Sequence, residues 1–237
     1  MKYIIFNWKS YLNINESSLL LRFISKTIFK NNFKLVVAPS VFSLGLLKIK
    51  FKNISFSGQN FDLLGKGGFT SFIPISDLTD LKINYVLIGH SEIRQYRKEN
   101  DLIVNEKTKT ALDNNITPIV CIGEDLNTYK RKHTNKHIKK QLTKIFNKNT
   151  QYKTIFIAYE PLWAIGSGLV PSNEEISKIC ILIKYFLKDY SFKKLKILYG
   201  GSVNSKNLDT LSKIKNLDGF LVGSASVKKS FIQKLKK

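Results

Sequence analysis

Short apolar runs recur eight times along the chain, and longer segments with helical spacing separate them. Most of the runs are continuous rather than alternating; they are Tyr3–Phe6, Leu35–Ala38, Ile54–Ser57, Tyr85–Ile88, Ile119–Ile122, Ile155–Tyr159, Ile197–Tyr199 and Phe220–Val222. Strands that are buried on both faces of a parallel sheet have this pattern. The sequence therefore predicts eight buried strands with helices between them.

Two of the connecting segments carry a clear helical stripe. The second stripe begins after Pro171, where Ser172 and Glu175 have the spacing of a capping box. Segments 100–114 and 225–235 are predicted to be less regular helices. The two stripes consist of Leu19, Leu20, Phe23, Ile24, Thr27 and Ile28, and of Ile176, Ile179, Cys180, Ile183 and Leu187.

Eight strand–helix units in 237 residues predict an α/β fold, a closed (β/α)8 barrel. We expect one domain over residues 1–237, because no linker rich in Pro, Gly or Ser divides the chain. The alternative is a doubly wound open sheet, which usually has a glycine-rich loop after its first strand. Here the first strand ends in Asn7-Trp8-Lys9, without glycine.

The composition excludes several classes of protein. With 43% hydrophobic residues the chain can build a sizeable core, unlike a disordered protein. No apolar run reaches the ~18 residues of a membrane span, and the apolar stretch behind Lys2 is too short for a secretory leader. Two cysteines are too few for a disulfide framework. We expect a cytoplasmic protein that does not bind membranes.

The formal net charge of +22 could indicate a protein that binds nucleic acid or a membrane surface. However, lysine supplies 35 of the 39 basic residues, and the chain holds 20 asparagines and only five alanines. Arginine is the better fork for phosphates and bases. This composition is more typical of AT-biased codons, and no specific nucleic-acid partner is expected.

The densest basic stretch, residues 130–140, contains His133 and His137 at a spacing of four. Two histidines at this spacing could share a metal ion, but no third ligand is evident. We expect a solvated helix face and no metal site.

Polar and small residues follow most of the predicted strands, at the end of the barrel where active sites lie. They include a candidate base, a histidine, a lysine, and small residues in the last two loops, where phosphate often binds. Each alone is unremarkable, since a glycine pair most often marks a turn. Together they predict acid–base chemistry on a small phosphorylated substrate. The set is Asn7, Lys9, Gln59, Asn60, Gly89, His90, Ser91, Glu92, Cys121, Glu124, Glu160, Gly200, Gly201, Ser202, Gly223 and Ser224.

Over essentially its whole length the sequence resembles the triosephosphate isomerase family. The resemblance implies a TIM barrel, a homodimer and a cofactor-free enzyme that interconverts dihydroxyacetone phosphate and glyceraldehyde 3-phosphate. The most specific motif is the stretch Ala158–Gly168. The others are Asn7-Trp8-Lys9, Gly58-Gln59-Asn60, Ile88-Gly89-His90-Ser91-Glu92, Cys121-Ile122-Gly123-Glu124, Tyr199-Gly200-Gly201-Ser202-Val203 and Asp218-Gly219-Phe220-Leu221-Val222-Gly223.

The resemblance also implies roles for single residues. Glu160 would move a proton between adjacent carbons, and His90 would act as the electrophile at the substrate oxygens. Lys9 would offset negative charge, with Asn7 donating a hydrogen bond beside it. Supporting roles fall to Glu92 and Tyr199. The phosphate would be held by Asn7, Lys9 and the backbone N–H groups of Gly166, Ser202, Gly223 and Ser224.

Residues 161–171 resemble a closing lid that excludes water; its members include Pro161, Trp163, Gly166, Gly168 and Pro171. Thr70 would lie near the tip of a loop that reaches into the active site of a neighbouring subunit.

Five positions depart from the family pattern. Pro171, within Leu169-Val170-Pro171, restricts the lid hinge, and Ser224 replaces a glycine that would be strained if its φ were positive. Ser71 and Phe72 replace a glycine–glutamate pair, and Ile93 replaces an arginine, so an ion pair at the dimer contact becomes apolar.

Two alternatives for the function stay open: another aldose–ketose isomerase, or a barrel without catalysis that binds nucleic acid or acidic partners.

Overall fold

The computed structural model describes residues 1–30 and 33–236. Eight parallel strands pair in chain order, and β1 pairs with β8 to close the barrel. The predicted fold, a (β/α)8 TIM barrel, is confirmed, and each predicted apolar run contributes to one strand. The strands are β1 Lys2–Asn7, β2 Phe33–Ala38, β3 Ser55–Gly58, β4 Tyr85–Ile88, β5 Thr117–Ile122, β6 Tyr152–Tyr159, β7 Phe192–Tyr199 and β8 Gly219–Val222.

Helices surround the barrel and connect its strands. They are α1 Ile14–Ser25, α2 Val41–Lys50, α3 Ile75–Asp80, α4 Ser91–Tyr96, α5 Asp101–Asp113, α6 Leu126–Lys130, α7 Thr134–Ile145, α8 Asn173–Phe186, α9 Leu208–Ser212 and α10 Lys229–Lys234. Short 3-10 helices span Leu162–Ala164 and Ser224–Val227. No helix in the described ranges is long and apolar enough to cross a bilayer.

Side chains alternate between the two faces of each strand, which divides the core into two clusters. Tyr3 and Ile5 belong to the smaller cluster, which fills the barrel, whereas Ile4 and Phe6 pack outward against the helices. Inside the barrel, the ring of Phe156 makes edge contacts with the rings of Tyr3 and Tyr85. The distances between ring centroids are 4.7 and 5.8 Å. The barrel is therefore a packed core and not a channel.

The predicted start of α8 is confirmed. Ser172 accepts from the backbone N–H of Glu175, and the Glu175 carboxylate accepts from the backbone N–H of Ser172, which completes the capping box. All five residues of the predicted stripe, Ile176 to Leu187, are buried. This end of α8 is therefore fixed where the lid segment, residues 161–171, joins it.

The prediction for the first helix was wrong at its end. α1 ends at Ser25, because the Thr27 hydroxyl, rather than its N–H, donates to the Phe23 carbonyl. The Thr27 N–H donates instead to the Ile24 carbonyl. Ile28 therefore lies beyond the helix and is exposed, as is Leu19. The buried face consists instead of Ser17, Leu20, Leu21 and Ile24. Segment 225–235 is likewise divided, with Lys228 between its two short helices.

Candidate active site

The inward rows of the barrel continue past the strand ends and meet in one cavity of about 240 Å³. Asn7 follows Tyr3 and Ile5, Glu160 follows Phe156 and Ala158, and Gly223 follows Leu221 at the same spacing of two. The lining residues include most of the predicted site: Asn7, Lys9, His90, Glu160, Gly166, Gly168, Gly200, Gly201, Ser202, Gly223 and Ser224. Tyr11, Ile165, Val203, Asn204, Leu221, Ala225 and Lys228 complete the wall.

Glu160 and His90 form the buried centre of this cavity. The His90 Nε2 atom lies 3.4 Å from Glu160 Oε1, and both side chains are less than a tenth exposed. Gly200 leaves room for the glutamate, since a Cβ there would come within 2.7 Å of Glu160 Cγ. Cys121 packs beside Glu160, and burial together with that carboxylate raises the pKa of its thiol well above the usual range. A carboxylate in this position can exchange a proton with a bound substrate.

The hydrogen bonds of His90 fix the orientation of its ring and its tautomer. His90 caps α4, and its Nδ1 atom accepts the backbone N–H of Glu92 at 3.3 Å. Nδ1 therefore carries no proton, and in the neutral ring Nε2 is the donor that faces Glu160. Arg94 supports this turn because its Nε atom donates to the Gly89 carbonyl at 2.7 Å and its Nη2 atom to Cys121 O at 3.2 Å.

Lys9 stands beside this pair in a strained backbone conformation, with a φ of 48°. Its Nζ atom lies 2.6 Å from Glu92 Oε1, and the Gln59 amide donates to its carbonyl at 2.9 Å. Asn7 Oδ1 accepts the Lys9 N–H at 3.1 Å, which leaves the Asn7 NH₂ group to donate to a ligand. A non-glycine residue at positive φ persists only where its surroundings hold it, and such residues cluster at functional sites.

Small residues line another part of the cavity wall. Gly166, with a φ of 69°, and Ser202, Gly223 and Ser224 lie there together. Ser224 opens a 3-10 helix and is not among the residues at positive φ, so the expected strain at this position does not arise. Gly223 also lies close to Lys9, since a Cβ there would be 3.5 Å from Lys9 Cε.

The lid is anchored at its first residues and exposed at its tip. Trp163 donates from Nε1 to the fully buried Glu124 at 3.1 Å, and Leu162 N donates to Glu124 O at 2.9 Å. Ser202 Oγ donates to the Ala164 carbonyl at 2.6 Å. The tip contains Gly166 and Gly168, both at positive φ, where an added Cβ would meet nothing within 4 Å.

The residues with a predicted role that lie outside the wall of this cavity are Glu92, Pro161, Trp163, Pro171, Tyr199 and Thr70. Tyr199 is fully buried, and in the described part of the chain its hydroxyl has no hydrogen-bond partner. Gly201 leaves room for this hydroxyl, since a Cβ there would lie 2.2 Å from the Tyr199 oxygen. Burial raises the pKa of this phenol. Thr70 is exposed in a different loop and lines a second cavity with Ser71 and Phe72.

The expected solvated helix face is confirmed for His133, which is exposed, whereas His137 is half-buried. Its Nε2 atom is 3.1 Å from Gly123 O, and Gln141, one turn later on α7, accepts the Gly123 N–H at 3.0 Å. Gly123 packs against the backbone of Glu160, where a Cβ would lie 1.8 Å from the Glu160 carbonyl oxygen. The periodicity of α7 could have shown that His137 and Gln141 share a face, but not what that face contacts. The sequence predicted no role for Gln59, whose amide donates to the Lys9 carbonyl.

Comparison with known proteins places the chain among enzymes of one kind. Residues 2–237 match the family model described as triosephosphate isomerase. The triosephosphate isomerase of Buchnera aphidicola subsp. Baizongia pistaciae is 39% identical, over 99% of this chain and 97% of that protein. The triosephosphate isomerase of Mesomycoplasma hyorhinis is 36% identical, over 98% of this chain and 96% of that protein. That of Neurospora crassa is 39% identical, over 85% of this chain and 84% of that protein.

Proposed function

The chain belongs to the triosephosphate isomerase family, and from this premise we propose that it interconverts dihydroxyacetone phosphate and D-glyceraldehyde 3-phosphate through an enediolate. The observation that carries the proposal is the buried pair of Glu160 Oε1 and His90 Nε2, 3.4 Å apart, in a cavity that also contains Lys9. This arrangement places a base, a hydrogen-bond donor and a cation within reach of one small substrate.

Glu160 acts as the base. Its carboxylate removes the proton from the carbon next to the carbonyl group, and the electron pair of the C–H bond becomes part of the enediolate. The same carboxyl group then returns the proton to the neighbouring carbon. In the same reaction the hydroxyl proton passes from one substrate oxygen to the neighbouring one, and His90 Nε2 relays it. Because one proton moves between the carbons and one between the oxygens, the reaction is balanced with the chain's own groups. We therefore propose that no cofactor or metal takes part.

His90 and Lys9 stabilise the charge that develops on the substrate oxygens. The proton on His90 Nε2 points toward the same space as the Glu160 carboxylate, because Nδ1 is occupied by the Glu92 N–H. Lys9 Nζ, held by Glu92 Oε1, supplies a positive charge, and the Asn7 amide donates beside it. Donors and charges positioned in a buried site stabilise a transition state more than they would in water. Glu92 thus has a supporting role: it orients both residues.

The phosphate group binds on the backbone N–H groups of Gly166, Ser202, Gly223 and Ser224. These residues line the same cavity, and small side chains allow the backbone to approach an anion. The lid, residues 161–171, closes over the substrate and excludes water. The unpartnered hydroxyl of Tyr199 is available to a group that moves when the lid closes.

We also propose that residues 1–237 act as one domain, in a cytoplasmic homodimer. A cavity of about 250 Å³ opens beside Lys9, His90 and Glu92, and its outer wall includes the exposed ring of Tyr96. The loop around Thr70 carries Phe69 and Phe72, about half exposed and in edge contact with each other. Two apolar surfaces of this kind fit a contact between copies. The free, buried cysteines Cys121 and Cys180 suit a reducing compartment.

A coupled assay on the purified protein tests the proposed function. We expect turnover of glyceraldehyde 3-phosphate by the wild type and a loss of roughly 10³-fold or more in kcat for Glu160→Gln, since acid–base catalysis typically contributes ~10²–10⁴-fold. His90→Gln should also lose activity, but less. A folded wild type without turnover would contradict the proposal. Binding of DNA at physiological salt by such an inactive protein would then favour the nucleic-acid-binding alternative, which no comparison supports.

A further inference from the structure

Tyr129 lies on α6, outside the cavity, yet it contacts both ends of the lid. At the first end, its ring packs against the indole of Trp163, with 4.2 Å between ring centroids and 30° between the planes. At the second end, its hydroxyl donates to Glu175 Oε1 at 2.8 Å. One side chain therefore connects the segment where the lid begins with the helix where it stops.

Both partners of Tyr129 are themselves fixed. Trp163 Nε1 is bonded to the buried Glu124, which also accepts from the hydroxyl of Tyr159. Glu175 uses its second oxygen, Oε2, to accept the N–H of Ser172 at 2.8 Å, and Ser172 directly follows Pro171 at the end of the lid. The hydroxyl of Tyr129 thus completes a chain of contacts from Glu124 through Trp163 to Ser172.

The electrostatics of the contact agree with the geometry. The hydrogen bond to Glu175 raises the pKa of the Tyr129 phenol. The pKa of Glu175 is lowered mainly by the N–H of Ser172. Partial burial of the carboxyl group opposes this effect, and the hydrogen bond from Tyr129 adds to the lowering. Glu175 is therefore ionised at neutral pH, and the bond from Tyr129 is charge-assisted, a class that is stronger than neutral hydrogen bonds.

We propose that Tyr129 is a positioning residue that holds the two ends of the lid at a fixed separation, so that closure moves only the exposed tip. The inference rests on the proposed function, because it assigns the lid a part in catalysis. A lid whose ends are set in advance loses less conformational entropy when it closes, and it closes in one register over the substrate. Without the contact, closure becomes slower and less complete.

Three variants separate the two halves of the contact. Tyr129→Phe keeps the ring on Trp163 and removes the bond to Glu175, whereas Tyr129→Leu removes both. Tyr185→Leu is the control, because Tyr185 is 64% exposed on α8 and lies away from the lid. We expect kcat to fall about threefold in Tyr129→Phe and tenfold or more in Tyr129→Leu, with a smaller change in KM. Release of inorganic phosphate per turnover should rise in the same order, because an incompletely closed lid lets the enediolate expel phosphate.

A second readout needs no activity. Trp8 is almost fully buried, so quenching of tryptophan emission by acrylamide reports on Trp163. We expect the quenching constant to rise at least twofold in Tyr129→Leu and to stay unchanged in Tyr185→Leu. If the wild type itself lacked turnover, the proposed function would fail while this measurement still tested the contact. The proposal is overturned if Tyr129→Leu lowers only the thermal midpoint and leaves kcat, phosphate release and quenching at wild-type values. If Tyr129→Leu does not fold, the same result for Tyr129→Phe overturns it.

Discussion

Two residues show that positive φ has different meanings in this molecule. Lys9 adopts a φ of 48° at the centre of the candidate site, where Asn7, Gln59 and Glu92 hold it. Ser71 has a φ of 66° in an exposed loop, at a position where the family resemblance implies glycine. The strain at Lys9 places its ammonium group in the cavity. Within residues 1–30 and 33–236 no side-chain hydrogen bond holds Ser71, so its strain is a cost to stability.

Ser71→Gly is therefore expected to stabilise the protein. Relief of the left-handed conformation is worth roughly 1–2 kcal/mol, and the greater freedom of glycine in the unfolded chain cancels about half of it. We expect a net gain of about 0.5–1 kcal/mol in the free energy of unfolding, measured in urea. Ser71→Ala keeps the strain and should change little. A loss of stability in Ser71→Gly would mean that the serine side chain makes a compensating contact.

Gly200→Ala tests how precisely the base must be placed. The added Cβ would lie 2.7 Å from Glu160 Cγ, so the glutamate has to shift. Because a displacement of about 1 Å can cost 10²-fold in rate, we expect kcat to fall about 10- to 100-fold. Gly45→Ala on α2 is the matched control, since its Cβ would meet Leu81 at an ordinary 3.7 Å. Equal activity in both variants would show that Glu160 tolerates displacement.

At the scale of elements, the sequence predicted the repeated strands correctly but not the point where the first helix ends. All eight strands were visible, because a strand buried on both faces needs a continuous apolar run. The capping box of α8 was visible because its two residues are local in sequence. The end of α1 was not, since the apolar pattern continues through Thr27 and Ile28 while the Thr27 hydroxyl terminates the helix. Periodicity does not register this competition between side chain and backbone.

Pro171 is the departure that acts on an element, because it joins the lid to the capping residue of α8. Its ring fixes φ and limits the freedom of the unfolded chain. Pro171→Ala should therefore lower the free energy of unfolding by about 0.4–1 kcal/mol. It should also speed lid motion, which NMR relaxation dispersion at the backbone amides of Gly166 and Gly168 in the tip would detect.

The chemical step should be unaffected by that change. We expect the substrate deuterium isotope effect on the proton-transfer step, measured in a single turnover, to be the same in Pro171→Ala as in the wild type. A changed isotope effect with unchanged lid motion would place Pro171 in the chemistry rather than in the hinge.

At the scale of the whole molecule, we expect a homodimer whose contact is apolar. Light scattering at micromolar concentration should give twice the chain mass of 27.2 kDa. The family resemblance implies that Phe72 contacts Ile93 of the other copy. Phe72→Glu should therefore weaken the dimer by at least about tenfold, because a carboxylate would be buried there without a partner. The double variant Phe72→Glu with Ile93→Arg should restore it by supplying the opposite charge. A monomeric wild type would contradict the expected assembly.

How much of the candidate site could be predicted depends on where the contacts come from. Asn7, Lys9, His90 and Glu160 were predictable, because each lies at or just after the end of a strand and the barrel brings strand ends together. The contacts of His137, Gln141 and Tyr129 were not, since they depend on how α6 and α7 pack against loops far away in the sequence. The residues proposed to act on the substrate lie at the strand ends of the repeating framework, whereas His137, Gln141 and Tyr129 lie on the helices that connect the strands.

The central claim is that Glu160 moves a proton between adjacent carbons, and isomerisation of glyceraldehyde 3-phosphate in D₂O tests it most directly. Proton transfer through an enediolate predicts deuterium at carbon 1 of part of the dihydroxyacetone phosphate, seen by NMR, with turnover lost in Glu160→Gln. Product without any deuterium, formed at wild-type rate by Glu160→Gln, would contradict the account, because it would require transfer without this base.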